Sequence, residues 1–363
     1  MLDYKNPKLL IDRAKVEADK VAWRSPSNLA LIKYWGKHGV QLPRNPSISI
    51  TLENAFTETL VEYAPKSTTS MDEEIALEFL FAGEPNEEFG NKVQQFLKSI
   101  TPIFPFLKQL ELKIHSDNSF PHSSGIASSA SSMSALALCL CTLEDNLFGT
   151  LSEDDAFVQK ASYIARLGSG SACRSIFSPM AIWGQTSGIE SSSDEYAIPF
   201  EQTHEAFKGF HDDILIVSSG EKSVSSRAGH ALMEDNAYAE PRYQQARHRM
   251  QRLLEALKDG DLNTFGQIAE NEALTLHALM MTSHPSYILM QPNSLEIINK
   301  IRAFRADTNH PVFFSLDAGP NVHLLYPENI IHEVRPFVDQ ELAPLCEEGT
   351  YLPDWIGEGP EEL

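Results

Sequence analysis

Ser119-Phe120-Pro121-His122-Ser123-Ser124-Gly125-Ile126-Ala127-Ser128-Ser129-Ala130-Ser131-Ser132 is the stretch on which the fold turns. It is entered from Leu110-Glu111-Leu112-Lys113-Ile114-His115, whose alternation reads as a strand. It leaves into a long helical pattern reaching about Leu143, with Ala130, Met133, Ala137 and Leu140 on one face. The first turn of such a helix has unpaired N–H groups and a partial positive charge, a place where phosphate settles. Gly125 would let an anion approach the backbone, and the serine hydroxyls could donate to phosphate or ligate Mg²⁺. The same residues also suit a plain strand-to-helix turn capped by serines. Neither a Walker A pattern nor a dinucleotide-type glycine fingerprint occurs anywhere.

Working outward, residues 1–20 read as an extension in which Asn6-Pro7 could cap a short helix. Ser47-Ile48-Ser49-Ile50-Thr51-Leu52 alternates strictly, as a half-buried strand does. A helix is expected around Lys92–Ile100 and another over Ala156–Leu167. Beyond a polar loop at Ser191-Ser192-Ser193, Asp213–Val217 reads as a buried strand. Ala239–Asp259, Leu262–Met281 and Ser294–Thr308 read as helices, and Asp317-Ala318-Gly319-Pro320-Asn321 as a turn between two strands. Mixed elements without regular βαβ alternation favour an α+β architecture. The expected division is an extension over 1–20, a first domain over 21–200 and a second over 201–363.

The chain has 363 residues, of which 42% are hydrophobic and 22% charged, with 50 acidic and 29 basic side chains and a net charge of -21. So acidic a surface argues against a nucleic-acid binder. The first fifty residues are the exception, with a basic excess, and are the first place to seek an anion site. The apolar run Ala135–Cys141 is far too short to span a bilayer. Four scattered cysteines suit reduced thiols in a cytoplasmic protein rather than a disulfide framework.

Three more segments carry chemistry-bearing residues. Asn28-Leu29-Ala30-Leu31-Ile32-Lys33-Tyr34-Trp35-Gly36-Lys37 sets two lysines four apart beside rigid aromatic walls, or is a hairpin with solvated lysines. Gly168-Ser169-Gly170-Ser171-Ala172-Cys173-Arg174-Ser175 offers room for a ligand and an arginine able to grip a carboxylate, or is a helix C-cap with a surface arginine. Asp317, before Gly-Pro, is by itself a common turn residue.

Taken together and in this order, with Ser223-Val224-Ser225-Ser226-Arg227 as a fifth match, these segments resemble the GHMP kinase superfamily. Within it they resemble the mevalonate diphosphate decarboxylases. The resemblance covers about Val21 to Tyr326. It implies a two-domain GHMP-kinase-like fold with a cleft between the domains, and a homodimer. It implies ATP and Mg²⁺ as cofactors, and mevalonate 5-diphosphate as a substrate phosphorylated on its tertiary hydroxyl. Phosphate and CO₂ then leave to give isopentenyl diphosphate. Asp317, Lys33 and Arg174 would carry catalysis, and Asn28, Tyr34, Lys37, Ser169, Ser171, Arg174 and Lys92 would hold the acid and its diphosphate. Ser123, Ser124, Gly125, Ala127, Ser128, Ser129, Ser131, Ser225 and Ser226 would hold ATP phosphates, with Ser128 and Ser129 nearest Mg²⁺. The chain departs from many relatives at His122-Ser123-Ser124, where they carry Thr-Ala-Ala, and at Pro46, where they carry serine. Lys92 stands where some carry arginine. Two alternatives stay within the superfamily, a phosphomevalonate decarboxylase and a 3-hydroxyl kinase. A third, of another class, is a non-catalytic nucleotide-binding module.

Overall fold

The computed structural model describes residues 2–67, 75–120, 128–220 and 223–363. Two β-sheets organise it. The first is built on a long antiparallel pair, β1 (Asp19–Ala30) and β2 (Ser47–Pro65). To these are added β3 (Ala76–Phe81) and β4 (Leu110–Asn118), which run parallel to each other, with β4 antiparallel to β2. Helix α1 (Glu87–Ser99) lies between them in sequence. It begins five residues before the expected Lys92 because Asn86 Oδ1 accepts the Phe89 N–H at 3.0 Å and caps the first turn.

Helices α2 (Ser128–Phe148) and α3 (Asp154–Gly168) pack on one face of this sheet. Their apolar residues meet Val61, Leu112 and Ile114 in a single core. Strands β5 (Met180–Trp183) and β6 (Ala197–Pro199) extend the opposite end of β2. The second sheet has four strands, with β7 (His211–Leu215) central. A short helix α4 (Ser226–Ala231) and the long α5 (Ala239–Asp259), α6 (Leu262–Met281) and α7 (Pro292–Thr308) follow. Then come β8 (Phe313–Ser315) and β9 (Val322–Tyr326), and α8 (Ile331–Phe337) precedes the fourth strand, β10 (Tyr351–Leu352). The chain ends back on the first sheet, where β11 (Glu361–Glu362) pairs with β1. Among the described residues no helix is long and apolar enough to cross a membrane, and all four cysteines are free and buried.

Two expectations fail here for identifiable reasons. Residues 2–18 form no helix. They run as an irregular strap whose Leu9 and Ile11 are buried in the first core. The Ile11 N–H donates to Gln109 Oε1 at 2.8 Å, and Gln109 Nε2 donates to Ile11 O at 3.2 Å. The amide that bonds the backbone from outside replaces the internal bonds a helix would have made. Ser47–Leu52 is a strand, but buried on both faces rather than one. Its hydroxyls are satisfied internally: Ser47 Oγ donates to Ile32 O at 2.7 Å and Thr51 Oγ1 to Phe177 O at 2.6 Å. Small polar residues with such partners mimic a solvent-facing period.

Candidate active site

The β1–β2 ladder breaks its register between Pro26 and Asn28, where the partner jumps from Phe56 to Thr51. A bulge of this kind re-aims side chains. Beyond it, Asn28 is buried, its Nδ2 donating to Ser175 Oγ at 2.8 Å and to Ser171 O at 3.3 Å. The 3₁₀ turn Gly170–Ile176, directly after α3, carries Arg174 across from it. Arg174 Nη2 donates to Asn28 Oδ1 at 3.1 Å, and its Nε donates to Ser49 Oγ at 3.0 Å. The side chain is only 2% exposed, so the surface-arginine alternative is excluded. Its guanidinium lies 5.9 Å over the Trp183 ring.

Among the described residues, Arg174 Nη1 is buried without a hydrogen-bond partner, and so is the Tyr34 hydroxyl. Leaving a charged donor in that condition is costly, and an anion placed there would remove the cost. Burial pulls the Arg174 guanidinium below its ordinary value, while Cys173, Asp317 and Tyr34 pull it the other way, so the aspartate stands within electrostatic reach. Burial raises the Tyr34 phenol well above its usual range.

Asp317 follows β8, at the mouth of the Asp317–Asn321 turn. Lys33 Nζ donates to its Oδ1 at 2.8 Å; the lysine is 2% exposed and the aspartate 22%. Lys33 is therefore not a solvated hairpin lysine. His277 Nε2–H donates to the Asp317 carbonyl at 3.1 Å, fixing the backbone behind the carboxylate. The Lys33 backbone is held as tightly. Its N–H donates to Glu272 Oε2 at 2.9 Å, and its carbonyl accepts from Arg242 Nη2 and Asn45 Nδ2, each at 3.2 Å. Glu272 in turn binds Arg242 at 2.7 Å and Arg249 at 2.8 Å through Oε1. Burial alone would raise the Glu272 carboxyl, but the two guanidinium groups outweigh it and hold it low.

Lys37 sits on the two-residue ladder Lys37–His38 with Leu42–Pro43 and donates to Gln41 Oε1 at 3.0 Å. Burial lowers its ammonium, and the nearby charge of Arg227, at the start of α4, lowers it further. Two cations held close suit an anionic guest. Ser169 precedes the 3₁₀ turn, its hydroxyl 3.3 Å from that of Ser129 at the start of α2, so the third segment meets the helix that follows the serine loop. Ser171 is partly exposed beside it, and Ser128 opens α2. Ser225 caps α4, accepting the Ala228 N–H, and is exposed like Ser226.

Three groups stand apart. Lys92 is 63% exposed on α1, paired with Glu88 at 2.6 Å and lying over the Phe89 ring; its contacts include none of Lys33, Arg174 or Asp317. Ser131 is fully buried, its hydroxyl 2.6 Å from Thr57 Oγ1 in the helix–sheet interface, because it falls on the inward face of α2. Ser123, Ser124, Gly125 and Ala127 lie outside the described residues.

Sequence reasoning missed Glu272, Arg242, Arg249 and His277. The available signal was the charge in Glu270-Asn271-Glu272, set inside an otherwise apolar helix pattern. An acid at such a position needs buried partners. Among the described residues, no group of three His, Cys, Asp or Glu side chains could cage a metal ion.

A two-sheet α+β chain with a Lys–Asp pair, a buried arginine within electrostatic reach of that aspartate and a serine-opened helix beside the arginine's turn defines the class: a kinase-like fold of the GHMP type. The comparisons with known proteins agree. Residues 25–197 match the diphosphomevalonate decarboxylase-like N-terminal domain, and 213–353 match the mevalonate 5-diphosphate decarboxylase C-terminal domain. The chain belongs to the diphosphomevalonate decarboxylase family. It is 30% identical over 321 residues to the diphosphomevalonate decarboxylase of Schizosaccharomyces pombe, covering 84% of this chain and 78% of that one. It is 27% identical over 337 residues to the phosphomevalonate decarboxylase of Haloferax volcanii, covering 92% and 94%. The solved mevalonate diphosphate decarboxylase of Staphylococcus aureus superposes with a TM-score of 0.81 at 26% identity, covering 97% and 99%. A structure of MDDEF in complex with MVAPP, AMPPCP and magnesium gives 0.80 at 29%, covering 95% and 99%.

Proposed function

We propose that this chain catalyses the ATP-dependent decarboxylation of mevalonate 5-diphosphate to isopentenyl diphosphate, with ADP, phosphate and CO₂ as the other products. The observation that carries this reading is the convergence of Asp317, bonded to Lys33, with the buried Arg174, whose Nη1 has no partner among the described residues. A tertiary hydroxyl is a poor leaving group until it is phosphorylated. Asp317 is suited to orient that hydroxyl and accept its proton, and the 2.8 Å bond from Lys33 holds the carboxylate in place. Arg174 would hold the substrate carboxylate in line while phosphate departs; the carboxylate bond to carbon then breaks, its electrons form the alkene, and CO₂ is released. Lys37, Arg227, Tyr34, Ser169 and Ser171 would receive the diphosphate end.

The hydroxyls of Ser128 and Ser129, at the start of α2, fit the phosphates of ATP. Mg²⁺ would be held mostly through those phosphates and would supply charge neutralisation during transfer. The deciding experiment counts ADP, phosphate and CO₂ released from purified protein with mevalonate 5-diphosphate, and expects one of each per turnover. ADP without CO₂ would make the chain a 3-hydroxyl kinase, and no ATP consumption would make it a non-catalytic module. The family's phosphomevalonate decarboxylase member supports a second reading, in which the monophosphate is preferred. The same assay with both substrates separates the two.

A further inference from the structure

His230, in α4, meets the Lys33–Lys37 segment at an unusual joint. Its ring lies 4.3 Å from that of Tyr34 and 4.6 Å from that of Trp35, centroid to centroid. The Gly36 N–H donates to His230 Nδ1 at 3.0 Å. Around that bond there is no slack. Gly36 has φ +101°, which a side chain rarely adopts, and a Cβ there would fall 2.2 Å from the Tyr243 hydroxyl. A Cβ on Gly229 would fall 2.5 Å from Trp35 Cζ2 and 2.6 Å from the Tyr287 hydroxyl. The two segments thus touch backbone to ring on both sides, and one hydrogen bond sets how they face each other. Each carries a cation next to the joint, Lys37 one residue beyond Gly36 and Arg227 three residues before His230.

We propose that His230 is a positioning residue: its Nδ1 accepts the Gly36 N–H and so holds Lys37 and Arg227 side by side to receive one anionic end of the substrate. An accepting Nδ1 leaves the ring proton on Nε2. Burial first, and then Lys37, push the imidazolium down to about 3, so the ring keeps this acceptor at neutral pH. The inference rests on the diphosphate reading above and is tested separately from it.

His230→Phe keeps the ring contacts and removes the acceptor, whereas His230→Asn returns a carbonyl oxygen near the place of Nδ1. The phenylalanine variant should raise the KM for mevalonate 5-diphosphate about tenfold, the scale of one buried hydrogen bond, with kcat and the KM for ATP nearly unchanged. The asparagine variant should recover most of that loss. Equal impairment of both variants, or an unchanged substrate KM in His230→Phe, would overturn the proposal. Nitrogen-15 NMR of the wild-type ring supplies a readout that needs neither variant to fold: the Nε2–H tautomer is expected, and an Nδ1–H tautomer rules the joint out. A wild-type chain that releases no CO₂ from either substrate would sink the functional reading instead, and the tautomer would still decide the joint.

Discussion

At the scale of single residues, the proposed function separates groups that would touch the substrate from groups that hold those groups still. Asp317 belongs to the first kind. Asp317→Asn keeps the shape and the contact to Lys33 but loses the negative charge that can take a proton. ATP and mevalonate 5-diphosphate should still bind, while kcat falls by about 10²- to 10⁴-fold, the range seen for positioned acid–base groups. Turnover close to wild type would remove the aspartate from the chemistry. Glu272 belongs to the second kind, and its consequences are for stability and its pH dependence. Its folded-state carboxyl is held below the ordinary 4.5 by Arg242 and Arg249. A depressed acid stabilises the fold fully above its unfolded value, and that contribution is lost as pH falls from about 4.5 through the folded value. Glu272→Gln leaves two guanidinium groups facing a neutral amide and should cost about 3–5 kcal/mol at pH 7. The difference from wild type should shrink in urea melts taken progressively below pH 4.5. A gap that is the same at pH 7 and at the acid limit would mean that the carboxylate charge is not what the site needs.

At the scale of elements, the sequence was most legible where period and composition agreed. The limits Ala239–Asp259 and Leu262–Met281 are those expected, since each helix combines a strong apolar stripe with a clear stop or start, Gly260 and Asp261 between them. It was least legible where polarity was internal. The serines of Ser47–Thr51 carry the alternation of a wet face, yet they line a dry one, and one of them, Ser49, receives Arg174. Lys33 and Arg174 invited a solvated reading for the same reason: long cations are usually on the surface, and only tertiary partners far along the chain bury them. Lys92 shows the converse, a position assigned by resemblance whose local helix instead supplies Glu88 as its partner. The strap over residues 2–18 was misread because its two buried side chains, Leu9 and Ile11, are too few to declare any period. Burying each such side chain is worth about 1.5–3 kcal/mol. Deleting residues 2–17 should therefore lower the melting temperature by several degrees and leave kcat untouched, since the strap packs on the first core and makes no contact with Lys33, Arg174 or Asp317 among its hydrogen bonds. A fall in kcat at a temperature well below the melting point would show that it supports the cleft after all.

At the scale of the whole molecule, the Lys33–Asp317 pair joins residues just beyond β1 and β8, one from each sheet, and the tail after β10 ties the same two sheets together. Asp354 is fully buried, and both of its carboxylate oxygens accept backbone N–H groups. Oδ1 takes those of Glu53 and Asn54 at 2.9 Å and of Trp355 at 2.8 Å, and Oδ2 takes that of Ala55 at 2.8 Å. Residues 53–55 are the part of β2 that leaves the ladder with β1 where the register jumps; the Glu53 N–H also reaches the Trp355 carbonyl at 3.1 Å, while those of Asn54 and Ala55 have only the carboxylate among the described residues. The Asp354 carbonyl meanwhile accepts the Asp212 N–H of β7 at 2.9 Å, in the other sheet. One residue thus joins the bulge that aims Asn28 to the sheet that positions Asp317. Asp354→Ala strands the amides of Asn54, Ala55 and Trp355, of which that on Ala55 is out of reach of water, while the Glu53 N–H keeps the Trp355 carbonyl; the cost is about 1–3 kcal/mol for each group left unpaired. Calorimetry should show a melting temperature several degrees lower and a single transition broadened or divided, as the two halves lose their common anchor. Asp354→Asn, which keeps the carbonyl oxygen that three of the four amides use, should retain most of the stability. Because Asn28 and Asp317 then drift relative to each other, substrate turnover in the alanine variant should fall even at temperatures where it is folded. A sharp single transition at the wild-type temperature would show that the tail rests on the two sheets without coupling them.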